Sequence, residues 1–485
     1  MRRTTAMILT ALLVFTGCFS NRSEPSSDST NDEVTAEPTE DPADETLVQE
    51  LRETVNQLEL TSIGTPPAQD AAKVELGHNL FFDPILSGSR DISCATCHQM
   101  SHGTSDEFAL SAGPGFRFTE YKERRPGPQH GLTPRTSPGV FDRGHEEFKK
   151  LFWDGRLEKL DDGRIVIHDV NHSRQKDGGY FRIMSDEFDN LLAAQATLPV
   201  HSRDEMRGVA GERDAFGDFN EVAPVAKHDL EGTWRRLMDR LREIDAYREL
   251  FSEAYPDRDI DELEFPHVGN ALAAFQIEHF SFSDSPWDRF LDGEDQALSS
   301  AQARGAQLFY GDAGCSNCHG GKLMTDQQLY NIAVPPMTTG HYDFDNMDTG
   351  AALRSHAGFE QSFHFTTPPL RNVELTGPYM HNGAYETLED VIRHKMDPVE
   401  GLWNFDSSHL SPIFRAQVHT QEKELNRVEK FLSDEALNVP KLDDDEVDDL
   451  VAFLHSLTSP SATDLTHLVP DTVPSELPLN LPVPQ

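Results

Sequence analysis

Two short runs in this chain have the residue types and spacing for covalent cofactor chemistry: Cys94-Ala95-Thr96-Cys97-His98 and Cys315-Ser316-Asn317-Cys318-His319. Two thiols one helical turn apart can form thioethers to both vinyl groups of one porphyrin, and the adjacent histidine is then placed to ligate the iron. A thioredoxin-like redox pair needs no histidine after it. A four-cysteine zinc site would have to bring the two pairs together across a long stretch of chain. The motifs therefore predict two covalent c-type haems, one on Cys94, Cys97 and His98 and one on Cys315, Cys318 and His319. Of the five cysteines, only Cys18 is left over, so no disulfide framework is available.

Each motif must be held by the elements before it, and these look alike in the two halves. Ala71 to Phe82 carries Ala72, Leu76 and Leu80 near helical spacing, with Pro84 to stop it. In the second half Ser300 caps a helix running to about Tyr310, with Gly311 and Gly314 after it. Asp444 to Leu457 predicts another helix, with Val447, Leu450, Val451 and Leu454 on one face and aspartates at its positive N-terminal end. Glu386 to Met396 predicts a shorter one with Thr387 as N-cap. No period-two alternation extends beyond a few residues. The pattern predicts a mainly α fold with long loops, its interior filled largely by the haems.

A formal charge of -41 argues against nucleic acid binding and against a surface that lies on anionic lipid; a docking partner should present basic residues. Arg2 and Arg3, the apolar run Ala6 to Phe15 and Phe15-Thr16-Gly17-Cys18 read as an export signal. The run is shorter than the roughly 20 residues of a membrane-spanning helix. A cysteine at the cleavage point predicts a lipoprotein signal over 1–18, an acylated Cys18 and a periplasmic protein held to the membrane by lipid alone. Residues 19–45, rich in Ser, Thr, Asp, Glu and Pro, predict a disordered tether, and the Pro-rich tail 460–485 an extended end.

The surroundings of the motifs carry a resemblance. In order stand Phe82-Asp83-Pro84-Ile85-Leu86-Ser87, Ile92-Ser93-Cys94, Phe152-Trp153-Asp154-Gly155-Arg156, Pro199 with Glu205-Met206, Pro369-Leu370-Arg371-Asn372-Val373 and Pro378-Tyr379-Met380-His381-Asn382-Gly383. From about Ala71 to Leu457 the chain resembles the bacterial di-haem cytochrome c peroxidases and their methylamine-utilisation-type relatives. The resemblance implies two class I cytochrome c-like domains with long loops, each around one covalent haem. The first, 46–283, would hold the peroxidatic haem on His98, and the second, 284–459, the electron-receiving haem on His319. It places Trp153 between the haems, and Gln195 and Glu205 in the peroxide pocket, beyond an insertion at about Glu158 to Asn190. The chemistry agrees: heterolytic O–O cleavage needs a base that takes a proton from one oxygen and returns it to the other, and an amide can orient the peroxide. The implied reaction reduces hydrogen peroxide to water with electrons from a small donor such as a cytochrome c or cupredoxin; a homodimer is left open. Two alternatives stand beside it: an oxidase of the methylamine-utilisation type acting on a protein or organic substrate, and a pure di-haem electron carrier.

Three departures from the family pattern qualify what is implied. Where relatives carry a histidine in Ser-x-Gly-His-Gly, this chain reads Ser111-Ala112-Gly113-Pro114-Gly115. Pro114 has no ligating atom, so the first haem is expected to have an open sixth position, with His102 and His130 as neighbours that could substitute. For the second haem, ungapped matching puts Lys395 at the family's methionine or tyrosine ligand position, in the middle of the Leu388, Val391 and Ile392 face, and Met396 at its edge. Met396 is the better-precedented ligand and is named as such, with Lys395 and His394 as alternatives. Thr376 and Pro378 match contributors to the family's inter-domain calcium ion, but Thr136 in Arg135-Thr136-Ser137-Pro138 stands where an asparagine is usual.

Overall fold

The computed structural model describes residues 43–118, 124–125, 127, 130–168, 181–337, 347–353, 358–479 and 481. The export signal, Cys18 and nearly all of the acidic tether lie outside these residues. The described chain is helix-rich, and no helix in it is long and apolar enough to cross a membrane.

Two crossed helix pairs organise the two halves. Ala71–Phe82, capped by Asp70, crosses Phe265–His279. Ser300–Tyr310 crosses Asp444–His455 in the same manner. A glycine permits each close approach. A β-carbon on Gly77 would stand 2.0 Å from the Ala271 carbonyl oxygen and 2.9 Å from Phe275 Cβ; one on Gly305 would stand 1.9 Å from the Asp449 carbonyl oxygen and 2.8 Å from Phe453 Cβ. The partner residues are four apart in both cases, so the crossings share a register. The cap of Ser300–Tyr310 is Ser299 rather than Ser300: its hydroxyl accepts from the Gln302 amide, while the Gln302 side chain accepts from the Ser299 amide. That reciprocal bond is available only one residue earlier.

Aromatic rings pack behind each crossing. Phe81, Phe275 and Phe280 lie within 5.6 Å of one another by ring centroids, and in the second half Phe453 packs on both Phe309 at 5.0 Å and Trp287, edge-on at 5.1 Å. Burying each such ring contributes about 1.5–3 kcal/mol.

The termini cross over between the cores. Glu45–Gln57 buries Val48, Leu51 and Val55 against Trp287 and Phe309 of the second core, and Arg52 pairs with Asp295 at 2.8 Å. This helix therefore starts at the edge of the stretch whose composition predicts a tether. The C-terminal run is held against the first core. Leu465, Leu468 and Val473 join the first core, and the Ser475 hydroxyl donates to Asp83 at 2.6 Å. Apolar residues spaced between the prolines hold it down, a pattern that bulk composition hides.

The stretch that departs from the family pattern forms most of a small antiparallel sheet, ordered Lys150–Leu151, Leu157–Lys159, Ile165–His168 and Phe181–Ile183. Strands this short carry no readable period-two pattern.

Candidate active site

Cys94–Cys97 forms a single helical turn, steadied by a bond from the Ser93 amide to the Thr96 hydroxyl at 3.0 Å. His98 follows, and its Nδ1–H donates to the Thr104 carbonyl at 3.0 Å. In the second half the turn Cys315–Asn317 leads to His319, whose Nδ1–H donates to the Met324 carbonyl at 3.1 Å. A carbonyl can only accept, so each ring carries its proton on Nδ1 and keeps the lone pair on Nε2, as iron ligation requires. Burial pushes the His319 imidazole down to about 4, keeping it neutral. Burial likewise pushes the Cys94 thiol up to about 12 and the Cys315 thiol up to about 11, against the thiolate character of a redox pair. Among the described residues no three His, Cys, Asp or Glu side chains gather as a metal site, so the two pairs do not meet around a zinc ion. The residues fit two haems, each held by its cysteine pair and the following histidine.

Around the first motif, the Ser111–Gly115 loop packs directly on the segment that carries Glu205. A β-carbon on Gly113 would stand 2.1 Å from the Asp204 carbonyl oxygen and 2.8 Å from that of Glu205. The Asp91 carboxylate holds the loop by accepting the Gly115 amide at 2.8 Å, and Pro114 is buried. Glu205 lies in the short helical segment Arg203–Arg207. It keeps some accessible surface, yet burial raises its carboxyl above the ordinary range, opposed by Arg156, a Ser202 hydrogen bond and Arg135. Gln195 sits on Leu191–Ala196, just before the turn Pro199–His201 that leads to Glu205.

The two histidines that could replace Pro114 are otherwise engaged. His130 is almost fully buried, with Nε2 on Glu212 at 2.9 Å and Nδ1 3.7 Å from Asp204. His102 pairs with Glu107 at 3.2 Å near the surface. Arg156, Asp91 and Glu212, the partner of His130, are residues of this region to which sequence reading gave no role. Only Arg156 had a signal, its place at the end of the Phe152–Arg156 run.

Trp153 lies on the seam between the halves. Its indole N–H donates to the Thr136 carbonyl at 3.1 Å, and its own carbonyl accepts the Thr366 amide at 2.7 Å. Beside it Arg135 joins Asp154 at 2.9 Å to Asp348 at 2.6 Å, and His381 stacks on Phe365. A second buried ionic link crosses lower down, where Arg371 reaches Asp288 and, at 3.5 Å, Asp142.

Near the second motif the three ligand candidates stand on Leu388–Met396, which Thr387 caps as expected. The Met396 sulfur accepts the Leu442 amide at 3.2 Å. Both nitrogens of His394 are bonded, Nδ1 to the Tyr385 hydroxyl and Nε2 to the Ile332 carbonyl, each at 2.8 Å. Lys395 is close enough to Cys315, Cys318 and His319 to perturb all three.

The fold and the two Cys-x-x-Cys-His turns together fit a protein built in two comparable halves to carry two c-type haems. Residues 71–296 match the family model described as di-haem cytochrome c peroxidase. It is 27% identical over 356 residues to cytochrome-c peroxidase IdrP2 of Pseudomonas sp. (strain SCT), covering 70% of this chain and 76% of that one. To the methylamine utilization protein MauG of Methylorubrum extorquens it is 29% identical, covering 66% and 68%. Among solved structures, a MauG-like protein associated with microbial copper homeostasis shares the fold, with a TM-score of 0.54, 22% identity and coverage of 85% and 98%.

Proposed function

We propose that this protein reduces hydrogen peroxide to water at the His98 site, with electrons entering from a small donor protein at the His319 site. The observation that carries this reading is a half-buried carboxyl of raised proton affinity, Glu205, whose backbone packs on the loop where Pro114 stands in place of the family's histidine. The crossed helix pairs with their shared glycine register support two cytochrome c-like domains. Cys94, Cys97 and His98 would hold one haem and Cys315, Cys318 and His319 the other. When bound, these groups supply the iron that takes peroxide and the store of electrons. Glu205 takes a proton from one peroxide oxygen and returns it to the other, the transfer that heterolytic cleavage needs. Arg156 and Arg135 favour its ionised form, burial the protonated form, and the balance lets it work in both directions. Gln195 offers an amide to orient the substrate, and Trp153 gives electrons a path across the seam.

A calcium ion fits less well. The Thr136 hydroxyl donates to the Phe108 carbonyl at 2.9 Å, its carbonyl is taken by Trp153, and the Arg135 cation already neutralises two carboxylates at this junction. No role is derived for calcium.

The relative named MauG favours a second reading, in which the same site oxidises a protein or organic substrate. Steady-state assays separate the two. Peroxide consumption sustained by a reduced small cytochrome supports the peroxidase; consumption that stays negligible until a protein or organic substrate is added rejects it. Anchoring by an acylated Cys18 is part of the same proposal. Partition of the processed protein into detergent, lost in Cys18→Ala, is the expected result.

A further inference from the structure

We propose that the Lys395 amine, and not the Met396 thioether, is the sixth ligand of the iron held by His319. This rests on the di-haem reading above and deepens it.

The argument is one of elimination by contacts and of charge. Three potential donors stand side by side on Leu388–Met396, and their surroundings differ. The Met396 sulfur accepts the Leu442 amide, so turning it to a metal would leave that N–H without its partner. The His394 ring is fixed at both nitrogens and packed with Nδ1 2.2 Å from where a β-carbon on Gly401 would stand, leaving no room to swing. Lys395 has neither restraint. Among the described residues no hydrogen bond or ion pair holds its ammonium. The groups that bear on it are the thiols of Cys315 and Cys318, and it bears in turn on the His319 imidazole. These are the three groups that would hold the haem.

A chain with 83 acidic and 42 basic residues has carboxylates to spare, yet among the described residues none pairs with the Lys395 ammonium. The ammonium gives one proton to bulk water, the freed lone pair fills the iron's sixth position, and no electron moves. A lysine stem is long and flexible enough to reach from mid-face of the helix, and a compact amine suits a single-point bond where a planar guanidinium would not.

The test uses the full-length protein with both haems attached and reads near-infrared magnetic circular dichroism and electron paramagnetic resonance of the oxidised form. The unaltered protein should show a low-spin haem with nitrogen–nitrogen axial ligation and no methionine-to-iron band. Met396→Leu should leave that spectrum unchanged. Lys395→Met should create a methionine band and raise the reduction potential of that haem alone. Lys395→Ala should cost the low-spin signal of that haem while denaturing mass spectrometry still counts two. A methionine band in the unaltered protein that vanishes in Met396→Leu would overturn the assignment, as would an unchanged low-spin signal in Lys395→Ala. A mass showing no second haem in the unaltered protein would overturn the di-haem reading itself, and the ligand assignment with it.

Discussion

On the histidine side the two haem-binding halves are built alike. Both rings donate Nδ1–H to a carbonyl five or six residues downstream, at 3.0 and 3.1 Å, and both motifs lean on a helix pair crossed at a glycine. Across from the histidines they diverge. The first half has a proline where the family pattern has a histidine, with the Glu205 backbone packed on that loop; the second has a helix carrying three donors, one of them a lysine without a partner among the described residues. The helix crossings are alike in the two halves, and what differs lies in the loops and in one late helix; on the proposed reading these set which iron is open to substrate.

The comparison can be broken most severely at Glu205. Glu205→Gln keeps the shape but removes the proton shuttle, and kcat/KM for peroxide should fall by about 10²–10⁴ with both haems still attached. Stopped-flow kinetics and mass spectrometry check the two halves of that statement. A fall of less than a few-fold would place the acid–base group elsewhere.

Pro114→His should make the first half resemble a closed site. The unaltered oxidised protein is expected to contain one high-spin haem that binds cyanide before any reduction. The variant should turn low-spin and bind cyanide only after reduction. A protein already fully low-spin would mean that another side chain fills the position.

Gly77→Ala and Gly305→Ala probe what the halves share. Each methyl would meet a carbonyl oxygen at about van der Waals overlap, 2.0 and 1.9 Å, so each should destabilise its own half. The expected cost is about 1–3 kcal/mol, occasionally more. Thermal unfolding followed at each haem's absorbance should show matching losses. A loss at one crossing only would mean that the crossings are not equivalent.

The smallest effect is one of pH. Burial raises the Glu205 carboxyl, so the base form that accepts the first proton disappears as pH falls through that raised value. The acid limb of kcat/KM should therefore lie above the ordinary glutamate pKa of about 4.3. It should be absent from the residual activity of Glu205→Gln.

Much of the site was legible in the amino-acid order because covalent and coordinate chemistry is strict about spacing. Two thiols and a histidine must be adjacent to grip one porphyrin, so Cys94 to His98 and Cys315 to His319 declare themselves without a fold. The helices Ala71–Phe82 and Leu388–Met396 were equally plain, since their apolar spacing and caps are local. Tertiary structure alone decided what depends on distant partners. The first helix packs on the second core and the C-terminal run on the first, because burial is settled by which faces remain open. The His130 ring is committed to Glu212, 82 positions along the chain. Of the three neighbours His394, Lys395 and Met396, sequence could rank them only by precedent. Hydrogen bonds with the Tyr385 hydroxyl, the Ile332 carbonyl and the Leu442 amide, groups brought near only by folding, occupy two of them and leave the lysine near the haem-binding cysteines.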